Sequence, residues 1–155
     1  NYINSETGRD MVLWDGACHV HEKFSLEKIL ELKRQHPGAK ILVHPECPAH
    51  VRIVADKVGS TAVLLDWACE TDATEFIVAT ESGILHEMRR RCPEKTFIPA
   101  PPNDSTCACN DCSFMKLNTL RKLYLTLVHE APEIHVDAAI IDRARRPITR
   151  MLSMS

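Results

Sequence analysis

Three short apolar runs, separated by stretches with helical spacing, constrain the fold of this chain more than any other feature. Lys40-Ile41-Leu42-Val43-His44, Glu75-Phe76-Ile77-Val78-Ala79-Thr80 and Thr96-Phe97-Ile98 read as strands, rich in β-branched and aromatic residues. Met11-Val12-Leu13-Trp14 reads as another buried strand, and Asp56-Lys57-Val58-Gly59 leaves room for a very short strand or a turn. Between them, Leu26, Ile29, Leu30 and Leu32 follow a Ser25 N-cap at helical spacing, predicting a helix over residues 25–36 that His36-Pro37-Gly38 stops. Pro48 can open a helix with Val51, Val54 and Ala55 on one face, and Ser60 caps a helix over Val63, Leu64, Trp67 and Ala68. Further helices are predicted over residues 83–92, 115–129 and 137–152, the last opened by Asp137 and broken or kinked near Pro147. Asn4, Ser5, Thr7 and Gly8 predict a turn. Strand and helix alternate, which is the signature of parallel βαβ units. The fold class is therefore α/β, a three-layer αβα sandwich around a short parallel sheet.

Composition narrows the function. The 155 residues are 45% hydrophobic and 26% charged, enough apolar material for a packed core. A net charge of -2 gives no electrostatic reason to expect nucleic acid or an anionic membrane surface as a partner. No apolar run approaches the roughly 20 residues that span a bilayer, and no signal peptide is visible, so a cytoplasmic location is expected. Seven cysteines is an odd count in a chain without secretory marks, and reduced thiols fit better than a disulfide framework. The chain starts at Asn1 without a methionine, which suggests a piece of a longer protein. Neither a G-x-G-x-x-G nor a Walker motif is present, so the usual dinucleotide and nucleoside triphosphate loops are absent.

In open α/β sheets, ligands bind beyond the carboxyl ends of the strands. Here those ends lead to Cys18, His19 and His21, to His44-Pro45-Glu46, to the Gly59-Ser60-Thr61 turn, and to Thr80-Glu81. The last strand leads past Pro99, Pro101 and Pro102 into Cys107-Ala108-Cys109-Asn110-Asp111-Cys112. Each has an ordinary structural reading. Cys18 could be a small core residue, His44 a satisfied loop histidine, and Glu46 a carboxylate favoured by a helix dipole. Ser60 and Thr61 could simply cap a helix, although two hydroxyls at a helix N-terminus also cradle an anion. The C-x-C-x-x-C spacing suits a soft metal or an iron–sulfur cluster, a disulfide with a spare thiol, or three unrelated thiols. With no second C-x-x-C it is not a closed four-cysteine zinc site. Cys47, Cys69 and Cys92 read as structural, Trp14 and Trp67 as core, and Arg89-Arg90-Arg91 as a solvated helix end.

Together these segments carry a resemblance. Trp14-Asp15-Gly16-Ala17-Cys18-His19-Val20-His21-Glu22 resembles a cluster-cysteine segment of the quinolinate synthase family. Val43-His44-Pro45-Glu46-Cys47-Pro48 resembles its His-Pro-Glu motif, Val58-Gly59-Ser60-Thr61 its Gly-Ser-Thr phosphate segment, and Ala79-Thr80-Glu81-Ser82-Gly83-Ile84 its Thr-Glu turn. Cys112-Ser113-Phe114-Met115-Lys116-Leu117-Asn118-Thr119-Leu120 resembles its last cluster segment, with Ser113 where the family usually has proline.

The resemblance implies condensation of iminoaspartate with dihydroxyacetone phosphate to quinolinate, in de novo NAD synthesis. It implies a 4Fe–4S cluster acting as a Lewis acid, held by three cysteines from three similar domains, and a partner aspartate oxidase that supplies iminoaspartate. Cys18 and Cys112 would be two of the ligands. Glu46 would be an acid/base residue, His44 would orient substrate or share proton transfer, and Ser60 and Thr61 would hold substrate phosphate or carboxylate. Thr80 and Glu81 would support them. Nothing here corresponds to the family's amino-terminal half. Residues 1–18 would end the middle domain, 19–105 would form the third α/β domain, and 106–155 would pack on the first domain. Alone, the chain is expected to be inactive. The competing expectation is a non-catalytic metal-binding module using Cys107, Cys109 and Cys112.

Overall fold

The computed structural model of the protein describes residues 1–103 and 110–154, so Cys107 and Cys109 lie outside the described residues. The chain forms two units, Asn1–Ser113 and Phe114–Ser155. The first is built on four strands, β1 (Lys40–Val43), β2 (Lys57–Val58), β3 (Glu75–Ala79) and β4 (Thr96–Pro99), in the order β2-β1-β3-β4. All pairings are parallel, with Leu42 opposite Lys57 and Val78, and Ile77 opposite Ile98. Parallel neighbours need crossovers. Helices α3 (Ala49–Arg52), α4 (Thr61–Glu70) and α5 (Ile84–Arg91) supply them, and α2 (Leu26–Gln35) precedes β1.

Side chains alternate across a strand, so each run feeds two cores. Ile41, Val43, Ile77 and Ala79 pack with Phe24, Ile29 of α2 and Val51 of α3. Leu42, Phe76, Val78 and Phe97 pack with Leu64, Leu65 and Ala68 of α4 and Leu85 and Met88 of α5. Two helical layers therefore enclose the sheet, and each buried Leu, Ile or Phe side chain contributes roughly 1.5–3 kcal/mol. This is the αβα sandwich that the alternating pattern predicts. The chain steps outward from β1 to β2, then returns past β1 to β3. Helices α3 and α5 consequently lie on opposite faces, and a crevice opens between the carboxyl ends of β1 and β3.

The second unit holds a 3-10 turn at Met115–Leu117 and the helices α6 (Leu120–His129) and α7 (Ala138–Leu152). Thr119 Oγ1 accepts the Lys122 N–H (3.2 Å), and Asp137 Oδ1 accepts the Ala139 N–H (2.9 Å), so both helices carry side-chain N-caps. None of its described residues is buried. No described helix is long and apolar enough to cross a membrane.

Several local expectations are corrected. Met11-Val12-Leu13-Trp14 is not a strand: it has no ladder partner among the described residues, and Trp14 is 91% exposed rather than core. Apolar residues alone do not make a strand when no neighbouring backbone satisfies their polar groups. Cys18 therefore does not follow a strand. The turn expected at Asn4–Gly8 is instead a helix, α1 (Tyr2–Thr7), closed by Gly8 in the left-handed region at φ 64°. Met115 to His129 is not one helix, because the Thr119 cap starts α6 afresh after the 3-10 turn. Helix α7 runs through Pro147 without a break. The expectation of reduced thiols fails for one pair, since Cys69 and Cys92 are joined by a disulfide.

Candidate active site

Four polar residues of the carboxyl edge, His21, His44, Glu46 and Thr80, meet in the β1–β3 crevice. β1 ends at Val43, the His44 N–H reaches across to the Ala79 carbonyl (3.1 Å), and Pro45, with no N–H to donate, keeps the strand from extending. The Glu46 N–H donates to His44 Nδ1 (3.3 Å), so the neutral His44 ring carries its proton on Nε2. β3 ends at Ala79, which leaves the buried Thr80 hydroxyl at the crevice floor.

His21 is the residue that joins these strand ends. It sits in a 3-10 turn, His21–Lys23, between the buried Val20 and Phe24. Its ring is 7% exposed and stacks on His44 at 4.2 Å. Nε2 lies 3.0 Å from Thr80 Oγ1. Nδ1 lies 3.0 Å from Glu46 Oε2, but off hydrogen-bond geometry, and among the described residues no other group bonds it. A buried ring nitrogen left this way is costly unless something else engages it. Burial, together with the neighbouring His44 ring, pushes the His21 imidazole below its ordinary 6.5, against the pull of Glu46. Burial lowers His44 in the same way. Both rings are thus mainly neutral at pH 7. Glu46 is about half exposed and can follow a proton or a ligand. Paired neutral imidazoles beside a carboxylate can accept and return protons at a reacting group.

Cys18, His21 and Glu46 form a group whose ligand atoms lie within 4.8 Å of one another, so they could hold a metal ion. Cys18 and Glu46 also line an open groove of about 870 Å³ with Tyr2, Trp14 and Arg52, so this side of the site is accessible. Cys112 reaches the same edge from the end of the unit: its N–H donates to Glu81 Oε1 (3.3 Å), just past β3. Cys18 and Cys112 are free and partly exposed thiols. Cys47 is free but fully buried, and burial pushes its thiol up to about 12.

The chain matches the family model described as Quinolinate synthetase A protein over residues 1–153. It belongs to the quinolinate synthetase A family. Curated quinolinate synthases of Synechococcus sp. and Thermosynechococcus vestitus are 54% and 53% identical to it over 154 residues, each match covering 99% of this chain and 48% of the relative. The enzyme of the same name from Chloroherpeton thalassium is 50% identical over the same span. The chain spans about half the length of the curated relatives it matches.

Within the quinolinate synthetase A framework, the structure brings His44 and Glu46 together with His21 and Thr80. Ser60 and Thr61 follow β2, one strand outward from His44, where Gly59 N–H bonds the Val43 carbonyl (3.2 Å). Both are exposed, and Ser60 Oγ accepts the Val63 N–H (3.4 Å) at the start of α4. The residue that sequence reasoning undervalued is His21. Its signal was present, because Cys18-x-x-His21 places a histidine one turn from a thiol. The donor chemistry suits an iron–sulfur group: thiolates are its usual ligands, the Cys18 sulfur lies beside His21 and Glu46, and the backbone of Cys112, whose thiol is also free, bonds Glu81 at the same edge.

Proposed function

We propose that this chain is the carboxy-terminal portion of a quinolinate synthase, condensing iminoaspartate with dihydroxyacetone phosphate to quinolinate when the whole protein is present. The observation that carries the reading is the His21–His44–Glu46–Thr80 cluster at the β1–β3 crevice with Cys18 beside it, in a chain of this family. Cys18 and Cys112 would hold a 4Fe–4S cluster, with the third cysteine contributed by residues outside this chain. Bound there, the cluster would supply Lewis acidity toward a substrate heteroatom.

The chain's own residues do the rest. Glu46 takes and returns protons at the reacting carbon and oxygen centres. His44, fixed by the Glu46 N–H on Nδ1, presents its Nε2–H to substrate. His21 Nδ1 stands 3.0 Å from Glu46 Oε2, and the ring is itself oriented by Thr80. Ser60 and Thr61, at the N-terminus of α4, hold the phosphate or a carboxylate. An aspartate oxidase is the partner that would supply the unstable iminoaspartate. The chain alone lacks a complete ligand set and is inactive.

The test is anaerobic expression of the full-length parent and assay of quinolinate from iminoaspartate and dihydroxyacetone phosphate. Quinolinate is expected, and Glu46→Gln lowers the rate by roughly 10²–10⁴-fold while leaving thermal stability in place. A folded, cluster-loaded parent that makes no quinolinate would overturn the reading.

A further inference from the structure

We propose that Asn110 is the positioning residue that presents Cys112 to the carboxyl edge, as the centre of a clasp shared with Glu81 and Ser82. The proposal rests on the reading of Cys112 as a cluster ligand. Asn110 is one of few buried polar side chains among the described residues, 5% exposed. Its amide Nδ2 donates to the Val20 carbonyl (2.6 Å), 90 residues earlier in the chain and two residues after Cys18. Its own carbonyl accepts the Ser82 N–H (3.4 Å). One residue on, the Asp111 carboxylate accepts the Ser82 hydroxyl, and the Cys112 N–H donates to Glu81 Oε1. Glu81 is in turn fixed, because its Oε2 accepts the Gly83 N–H (2.8 Å). Three consecutive residues, Asn110, Asp111 and Cys112, are thus tied to the turn after β3, and Asn110 ties them also to the segment that carries Cys18 and His21.

This arrangement does more than anchor a loop. A thiol on an unheld segment must be ordered each time it ligates, and that ordering entropy weakens ligation. Holding the backbone on both sides of the ligand in advance removes that cost. The groups involved are buried or charge-assisted, so the clasp is sensitive to single changes. Cys18 and Cys112 are distant in sequence, and the Asn110 amide bonds the segment of one to the segment of the other.

The experiment uses the full-length parent, purified anaerobically, with the variants Asn110→Asp, Ser82→Ala and Cys112→Ala. Asn110→Asp keeps the shape but sets a carboxylate oxygen against the Val20 carbonyl. In cluster-free protein, the rate of Cys112 alkylation by iodoacetamide, followed by peptide mass spectrometry, is expected to rise about ten-fold, with a smaller rise at Cys18, a lowered melting temperature, and the core thiol of Cys47 still protected. After reconstitution, iron per chain and the visible cluster absorption should fall. Ser82→Ala, which removes only the hydroxyl contact to Asp111, should move both in the same direction by less and serves if Asn110→Asp does not fold. Unchanged alkylation and iron in both variants overturns the clasp. If those variants behave as expected in alkylation but Cys112→Ala keeps a full cluster, the ligand reading fails, and with it the role assigned to the clasp. Loss of the cluster in Cys112→Ala with full retention in Asn110→Asp overturns the clasp and leaves the ligand reading standing.

Discussion

The two edges of one sheet are built on opposite terms. At the amino edge, where α4 and α5 end and β3 and β4 begin, polar groups are closed off. Lys95 Nζ donates to the carbonyls of Ala68 (2.7 Å), Cys69 (3.3 Å) and Thr71 (2.6 Å) as α4 ends. The Cys69–Cys92 disulfide joins the ends of α4 and α5. Asp56 takes Lys40 Nζ and the Ile41 N–H, both at 2.8 Å, between β1 and the start of β2. At the carboxyl edge, His21 Nδ1 is buried without a well-formed bond, His44 and His21 stack as lowered bases, and two thiols are left unpaired. Polar groups are satisfied at the amino edge, and bonding capacity is left open at the carboxyl edge, where the candidate site lies.

The sharpest way to break this comparison is to exchange the kinds of damage. The double change Cys69→Ala with Cys92→Ala opens a loop of 23 residues and should cost about 3 kcal/mol of stability in urea unfolding, without altering the carboxyl-edge thiols. A reductant should lower the melting temperature of the parent sequence and leave that of the double variant unmoved. A melting temperature of the unchanged sequence that ignores reductant would show that the amino edge does not depend on this bond. Lys95→Met keeps most of the apolar stem but removes the donor to three carbonyls. It should cost about 1–2 kcal/mol, measured the same way.

The two edges should also titrate apart. His21 and His44 are lowered in the folded protein, so the unfolded chain binds more protons once pH drops below 6.5. Stability is therefore full above pH 6.5 and falls as pH drops through the folded values, and replacing both histidines with Gln should flatten that fall. Burial would raise the Asp56 carboxyl, but Lys40 and the Ile41 N–H hold it below 3.8. Its contribution is present above pH 3.8 and is lost only in stronger acid, so Asp56→Asn should change the acid limb and not the first. Stability-versus-pH curves from chemical denaturation separate the two limbs.

What was legible in the sequence follows the same division. The runs at Ile41–Val43 and Phe76–Ala79 announced buried parallel strands because both faces of each are apolar. Once parallel, their carboxyl ends had to share an edge, so His44, Glu46, Thr80 and Cys112 could be gathered before any coordinates. Met11-Val12-Leu13-Trp14 misled because a strand needs a hydrogen-bonding neighbour, and that is not written in local hydrophobicity. The disulfide was equally invisible, since pairing Cys69 with Cys92 requires the docking of α4 on α5 and not a spacing rule. His21 was underweighted because the Cys18-x-x-His21 spacing does not say which strand ends the ring will meet. Its importance comes from where Thr80, His44 and Glu46 arrive.

The central claim is that Cys18 and Cys112, and not the crowded Cys107–Cys109 pair, are this chain's share of a cluster site. The direct measurement is iron per chain and visible cluster absorption in the anaerobically purified full-length parent, for Cys18→Ala, Cys112→Ala, Cys107→Ala and Cys109→Ala. The account predicts that either of the first two abolishes the cluster and that either of the last two retains it. A cluster that survives Cys18→Ala or Cys112→Ala, or one lost with Cys107→Ala or Cys109→Ala, would contradict it.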